Sequence, residues 1–206
     1  VPVSYDVKSE RYDAEVQHTV GLGESLRLVW GAGARLDLVE WPGFLGSAAP
    51  LDNHYYRLFA NLEWRATPRL MLNAGAMVEN SEITGSDLSP RLAVNYRVMS
   101  GHTLRAGVSG ATRQPVLIEE KGNARFCLNA ACTLFDQSFY SSGNLEPERI
   151  LATELGYLGR LAPTLTLDLR LFRDQVTRLI TSYDGFYDDS LPDNEAYDFR
   201  NRDKAM

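Results

Sequence analysis

The sequence predicts an all-β chain, an antiparallel up-and-down meander that is part of a transmembrane β-barrel. Three observations lead there. Apolar residues recur with a period of two through eight segments, each segment is about 9 to 12 residues long, and the connections between them alternate between short and long. A period of two marks a strand with one apolar and one polar face. Soluble strands centre on about 5 to 6 residues, whereas a tilted strand crossing a bilayer needs about 9 to 11.

The elements follow in order. In "YDAEVQHTV" Tyr12, Ala14, Val16 and Val20 oppose Asp13, Glu15, Gln17 and Thr19. "LRLVWGAGARLD" sets Leu26, Leu28, Trp30, Ala32, Ala34 and Leu36 against Arg27, Arg35 and Asp37, with Gly31 and Gly33 among the polar set. Glycines at such places relieve crowding on the polar face or permit curvature. "HYYRLFANLEWR" alternates Tyr56, Leu58, Ala60, Leu62 and Trp64 with Arg57, Asn61, Glu63 and Arg65. "RLMLNAGAMVE" continues with Leu70, Leu72, Ala74, Ala76 and Val78. Residues 91–98 place Leu92, Val94, Tyr96 and Val98 opposite Arg91, Asn95 and Arg97, and the descending run presents Leu104, Ala106 and Val108. "ILATELGYLGRL" and "TLTLDLRLFRDQ" complete the set, the latter with Leu165, Leu167, Leu169 and Leu171 on one side.

The connections sort by length. Residues 21–25, 67–68, 100–102 and 162–163 are short and rich in turn formers, while 38–53, 80–88, 114–149 and 176–206 are long. A meander then has every short turn at one end and every long loop at the other, as outer-membrane barrels do with their periplasmic turns and external loops. Trp64, Tyr96 and Tyr157 fall on apolar faces a few residues from short turns, as one interfacial aromatic girdle would require.

Composition narrows the alternatives. The 206 residues are 44% hydrophobic, and no apolar run approaches the roughly 18 residues of a membrane helix, which leaves barrels open. A net charge of −6 gives no basic stripe for nucleic acid. Cys127 and Cys132 lack the second pair of ligands that zinc requires, so a short-loop disulfide in an oxidising compartment is expected rather than a metal site. No catalytic constellation emerges, so no enzyme activity and no cofactor are expected. The three histidines (His18, His54, His102) sit in separate segments, and Ser109 in "GVSGA" has misplaced glycines for a nucleophile elbow. The acidic tract 182–198 offers hard oxygen ligands but no EF-hand spacing, and a solvated external loop is the preferred reading.

Several motifs together resemble a known family. They are Ser89 to Leu92, Thr103 to Arg105, Arg113 with Pro115, Asn144 to Glu148, Glu154 to Tyr157, and Phe172 with Leu179 and Ile180. Their order is similar to that in the barrel of TonB-dependent outer-membrane receptors, and residues 17–35 resemble a hairpin of the same proteins. The resemblance implies residence in the outer membrane of a Gram-negative bacterium and import of a scarce nutrient of the ferric siderophore, haem or cobalamin class. It implies as partners such a small-molecule ligand, outer-membrane lipid, and a TonB system acting through a plug domain. Residues 1–206 would supply about eight of about 22 strands, without plug or final strand. The chain starts at Val1 and stops at Met206, and is expected to be a piece of something longer.

Within that frame the long loops 114–149 and 176–206 resemble ligand-capturing loops. Arg113, at a strand mouth, and Tyr183 and Tyr187, in the acidic tract, are the candidate ligand contacts. Polar residues such as Arg57, Glu63, Arg91, Arg105 and Asp168 would face water and the plug. Two rivals make different demands. A small closed eight-strand adhesion or structural barrel requires residues 12–20 to pair with 164–175. A soluble β-sandwich binding module requires Leu92, Val94, Leu167 and Leu169 to be buried.

Overall fold

The computed structural model describes residues 6–131, 133–186 and 195–202. In chain order it contains β1 (Lys8–Leu22), β2 (Leu26–Glu40), the short helix α1 (Pro42–Leu45), β3 (Leu51–Thr67), β4 (Leu70–Ser81), β5 (Gly85–Met99) and β6 (His102–Arg113). There follow α2 (Leu117–Lys121), β7 (Asn123–Cys127), β8 (Phe135–Tyr140), β9 (Glu148–Ala162), β10 (Leu165–Thr177), β11 (Leu179–Phe186) and β12 (Glu195–Arg202). Eight strands form one open antiparallel sheet in the order β1-β2-β3-β4-β5-β6-β9-β10, and β11-β12-β8-β7 form a second, smaller sheet.

Register turns the alternation into two continuous faces. Leu62 pairs with Ala74, Ala74 with Leu92, and Leu92 with Val108, so one apolar row crosses four strands. The next row runs Leu26, Trp64, Leu72, Val94, Ala106, Leu155 and Leu171. These side chains have nothing over them: Leu92 is 58% exposed, Leu155 56% and Leu171 74%. In water such a patch would be a severe liability, but against hydrocarbon it is the wall of a barrel. Trp64 and Tyr56 bound this band on β3, eight residues apart. At about 3.3 Å per residue they are separated by about 26 Å along the strand, or about 20 Å across a bilayer at the usual tilt, close to the height of a lipid-facing band. Trp30, in register with Ala60, lies midway and belongs to neither girdle.

Both rivals fail on this geometry. Among the described residues β1 pairs only with β2 and β10 only with β9, so residues 12–20 do not meet 164–175 and the sheet is not closed. Leu92 and Leu169 are exposed, and Val94 and Leu167 are only half-buried, so no second sheet covers them.

Three expectations need correction. The barrel strands run from 12 to 17 residues, because they continue past the apolar band into the external region. The connection expected over 80–88 shrinks to residues 82–84, since β4 extends to Ser81 and β5 begins at Gly85. Pro90 concealed that extension. It sits in the ladder opposite Ala76, on the stretch of β5 beyond its β6 ladder, where its missing N–H leaves no bond unmade. Finally, the tract 182–198, read as a solvated external loop, supplies parts of β11 and β12, and the loops 114–149 and 176–206 together hold α2 and all four strands of the second sheet.

Conventional burial is found at that external end. Leu45, Leu117, Ala124, Leu145, Ile180 and Ala196 are buried there, and the Phe44 ring packs edge-on to Phe126 and tilted against Phe139, each at 6.0 Å between centroids. The chain passes from wall to loop sheet at Arg178, whose φ of 58° is a left-handed kink. The kink is held by Asn201, whose Nδ2 donates to the Arg178 carbonyl at 2.7 Å, and by an ion pair from Arg178 to Glu146 at 2.9 Å.

Candidate ligand-facing mouth

Two prolines delimit the central feature of the mouth. Pro115 follows the end of β6 and Pro147 precedes the start of β9, and neither can donate to a ladder. The last residue of β6, Arg113, is therefore paired across the ladder with the first of β9, Glu148. Arg113 Nε and Nη2 donate to the two Glu148 oxygens at 2.7 and 2.8 Å, a bidentate fork. The same guanidinium reaches Glu119 of α2 at 3.0 and 3.2 Å, while Glu119 accepts the Val116 backbone N–H at 2.9 Å. Glu148 also accepts the Ile180 backbone N–H at 2.8 Å, so one carboxylate joins β6, β9 and β11.

This pair lies above the apolar band, and its electrostatics follow from the contacts. Arg113 holds the Glu148 carboxyl below the ordinary carboxylate range, against the opposing effect of burial and with help from the Ile180 N–H. Arg113 in turn is held more firmly protonated by Glu148.

A second polar knot lies beside it. Asp87 is buried and accepts from Gln114 Nε2 at 3.1 Å and Arg149 Nη2 at 3.3 Å, and Gln114 also contacts Thr84 Oγ1. In the loop sheet, Ser142 donates to Asp198 through its N–H at 3.0 Å and its hydroxyl at 2.9 Å. Burial alone would raise the Asp198 carboxyl. The bonds from Ser142, Arg200 and the Phe199 N–H outweigh it, and the group is held below its ordinary value.

The candidate contacts fare differently. Tyr183, on β11, is half exposed, and the Arg200 guanidinium lies 4.6 Å above its ring. Arg113 is accessible but engaged by two carboxylates. Tyr187 lies outside the described residues. Cys127, at the end of β7, is disulfide-bonded, and Cys132 lies outside the described residues. Sequence reading missed the partners of Arg113: Glu119 and Glu148 are visible as charges, but only the strand register and α2 bring them together.

Below the mouth the polar face forms a wall of ion pairs. Arg57 bridges Asp13 and Glu15 at 3.1 and 2.9 Å, Arg27 meets Glu63 at 3.0 Å, and Arg105 and Arg170 share Asp168. Gly33 makes room for this, since a Cβ there would lie 2.7 Å from Arg57 Nε. A recess of about 470 Å³ on this face is lined by Asn61, Asn73, Arg91, Asn95, Arg105 and Glu154 among others.

A sheet greasy without and charged within, carrying folded loops at one end, describes an outer-membrane receptor wall. Residues 3–205 match the model of the family described as TonB dependent receptor-like, beta-barrel. The chain belongs to that family. Solved receptor structures share the fold: the siderophore receptor PirA from Pseudomonas aeruginosa superposes with a TM-score of 0.76 at 19% identity, over 96% of this chain and 37% of that one. The ferric enterobactin receptor PfeA of the same organism, as its G324V mutant, gives 0.75 at 20% identity over 96% and 31%. The FrpB iron transporter from Neisseria meningitidis gives 0.67 at 14% over 95% and 31%. The chain thus spans about a third of these receptors. No curated protein matches it. Membership places the chain in the Gram-negative outer membrane, in a family of receptors rather than enzymes.

Proposed function

We propose that this chain is the wall and mouth of a TonB-dependent receptor that imports a scarce nutrient of the ferric siderophore class. The observation that carries the reading is the mouth, where loops that could have been disordered instead fold into a sheet with its own core above a charged inner wall. Loops of this length with ordered structure are usually functional. Fold neighbours that are siderophore and ferric enterobactin receptors support the ligand class.

In this reading Tyr183 and Arg113 are the ligand contacts, and they act differently. Tyr183 offers an exposed ring with a cation above it, suited to an anionic aromatic ligand. A ligand anion reaching Arg113 displaces Glu119, which rides on a helix of only five residues, and leaves the Glu148 fork intact. Tyr187 and the Cys127–Cys132 pair belong to the same capturing loops. Energy would come through TonB acting on a plug domain in the parent protein.

The test is uptake of radiolabelled iron as a panel of ferric siderophores by cells whose sole such receptor contains this chain. Saturable uptake that disappears on deletion of tonB is expected. Uptake of every panel member unaffected by deleting the receptor refutes the proposal.

A further inference from the structure

A second cluster lies on the other side of the wall, away from the mouth's interior. Asp52 and His54 are two apart on β3, so their side chains project to the same side, and that side is the outward one, since His54 is in register with Leu36. The last β3–β4 partners are Tyr55 and Ser81. One residue further, Glu82 donates its backbone N–H to the His54 carbonyl at 3.3 Å, which brings its carboxylate alongside the imidazole. Residues 28 positions apart thus converge through register, and no spacing in the sequence announces it.

The atoms meet at one place. His54 Nδ1 lies 3.2 Å from Glu82 Oε1 and 3.8 Å from Asp52 Oδ2, and one ligand atom from each residue falls within 4.8 Å of the other two. Tetrahedral zinc with bonds of about 2.0–2.1 Å separates its ligands by about 3.4 Å, a spacing that the His54–Glu82 pair already meets, while the Asp52 carboxylate must close in. Two further observations ask for a cation. The Nδ1 atom is shielded from solvent and has no hydrogen-bond partner, although both carboxylates approach it. Among the described residues neither Asp52 nor Glu82 pairs with an arginine or lysine, so the imidazole is the basic group that both carboxylates approach.

We infer that Asp52, His54 and Glu82 form a divalent transition-metal site on the outer rim of the receptor. One nitrogen and two carboxylate oxygens suit zinc or a similar borderline ion, and three protein ligands leave at least one position open toward the headgroup layer. Tyr56, the next outward residue below His54 on β3, marks the upper edge of the apolar band, so the site sits just above the hydrocarbon. The ion staples the β4–β5 turn to β3, at the one external connection that carries only three residues.

The experiment uses the whole receptor, without a histidine tag, in detergent micelles and stripped with chelator. Zn²⁺ is titrated by equilibrium dialysis and Co²⁺ by visible absorption. One equivalent of Zn²⁺ and a Co²⁺ spectrum of four- or five-coordinate type are expected. His54→Ala should weaken binding by roughly 100-fold or more, as should Glu82→Gln, which keeps the shape of the turn, while His18→Ala should leave it unchanged. Absence of saturable binding, retention of the full equivalent by both site variants, or binding of Ca²⁺ in preference to Zn²⁺ overturns the assignment.

Discussion

Replacing Leu92 by arginine tests the orientation of the whole sheet. Leu92 is 58% exposed and sits in the row Leu62, Ala74, Leu92, Val108. On β5, Leu92 lies four residues from both Tyr96 and Leu88, the outward-facing residues toward either end of that strand's apolar run, which places it in the middle part of the band. Full burial of a leucine stabilises by about 1.5–3 kcal/mol, so the exposed fraction of Leu92 contributes about 1–2 kcal/mol through lipid. A guanidinium there also loses hydration, partly recovered by snorkelling, and lipid-facing arginine near the midplane costs about 2–4 kcal/mol in all. The assay is reversible urea unfolding of the receptor from phospholipid vesicles, with Asn73→Arg as control. Asn73 lies on the opposite face in register with Glu63, and arginine there should change stability by less than about 1 kcal/mol. If Leu92→Arg is no more destabilising than Asn73→Arg, the apolar face does not meet hydrocarbon and the reasoning is wrong.

The remaining predictions concern the mouth, the edges and one tight contact. Glu148 has its folded carboxyl lowered chiefly by Arg113, so its contribution is present at neutral pH and is lost as pH falls through that lowered value; hydrogen exchange of the β6–β9 ends should rise on acidification, and Glu148→Gln should raise it at pH 7 and flatten its further rise in acid. Arg113→Ala should weaken the mouth by about 1 kcal/mol, a figure discounted because the guanidinium is nearly half exposed. Residues 1–206 alone, with the outer edges of β1 and β10 unpaired, should aggregate in detergent-free buffer, and a monodisperse monomer by light scattering would contradict this. Gly31→Ala would place a Cβ 2.5 Å from the Val16 carbonyl oxygen and from the Phe59 ring, so it should destabilise the β1–β2–β3 wall by about 1–3 kcal/mol, read in the same urea assay.

The wall was legible because lipid enforces a strict pattern. A charge at the wrong parity would sit in hydrocarbon, so alternation runs through most of all eight strands and makes their number and facing legible, with His18 beside Trp30 and Arg173 beyond Leu171 as polar residues on the outward side. The mouth carries no such constraint. Phe126, Phe139 and Phe199 belong to short strands that pack against each other and against Phe44 of α1, a mixed environment that imposes no period. The parallel pairing of β12 with β8, through Tyr197 opposite Phe139, joins segments almost sixty residues apart and leaves no local trace. Arg113 was found because Pro115 marks a strand end, but its two carboxylates come from an adjacent strand and a five-residue helix whose positions only the folded chain shows.

The two regions therefore answer to different solvents, and this constrains how the receptor can change. Apart from Tyr55, at the upper end of β3, the buried apolar residues described all belong to the mouth and its loops, while large apolar residues of the wall such as Leu92, Leu155 and Leu171 are exposed. The wall is held by its ladder and by lipid, so its polar face is free to vary without disturbing a core. The mouth is a small globule held by buried apolar residues such as Leu45, Leu117, Leu145 and Ile180 and by charged knots, among them Glu148 and Asp198. On the proposed reading, a substitution that loosens this globule alters the ligand-facing surface without touching membrane insertion, and one that breaks the apolar band abolishes insertion whatever the state of the mouth. On the proposed reading, ligand recognition can be retuned at the mouth on an unchanged wall, and the wall itself keeps the shape of its fold neighbours at about 20% identity.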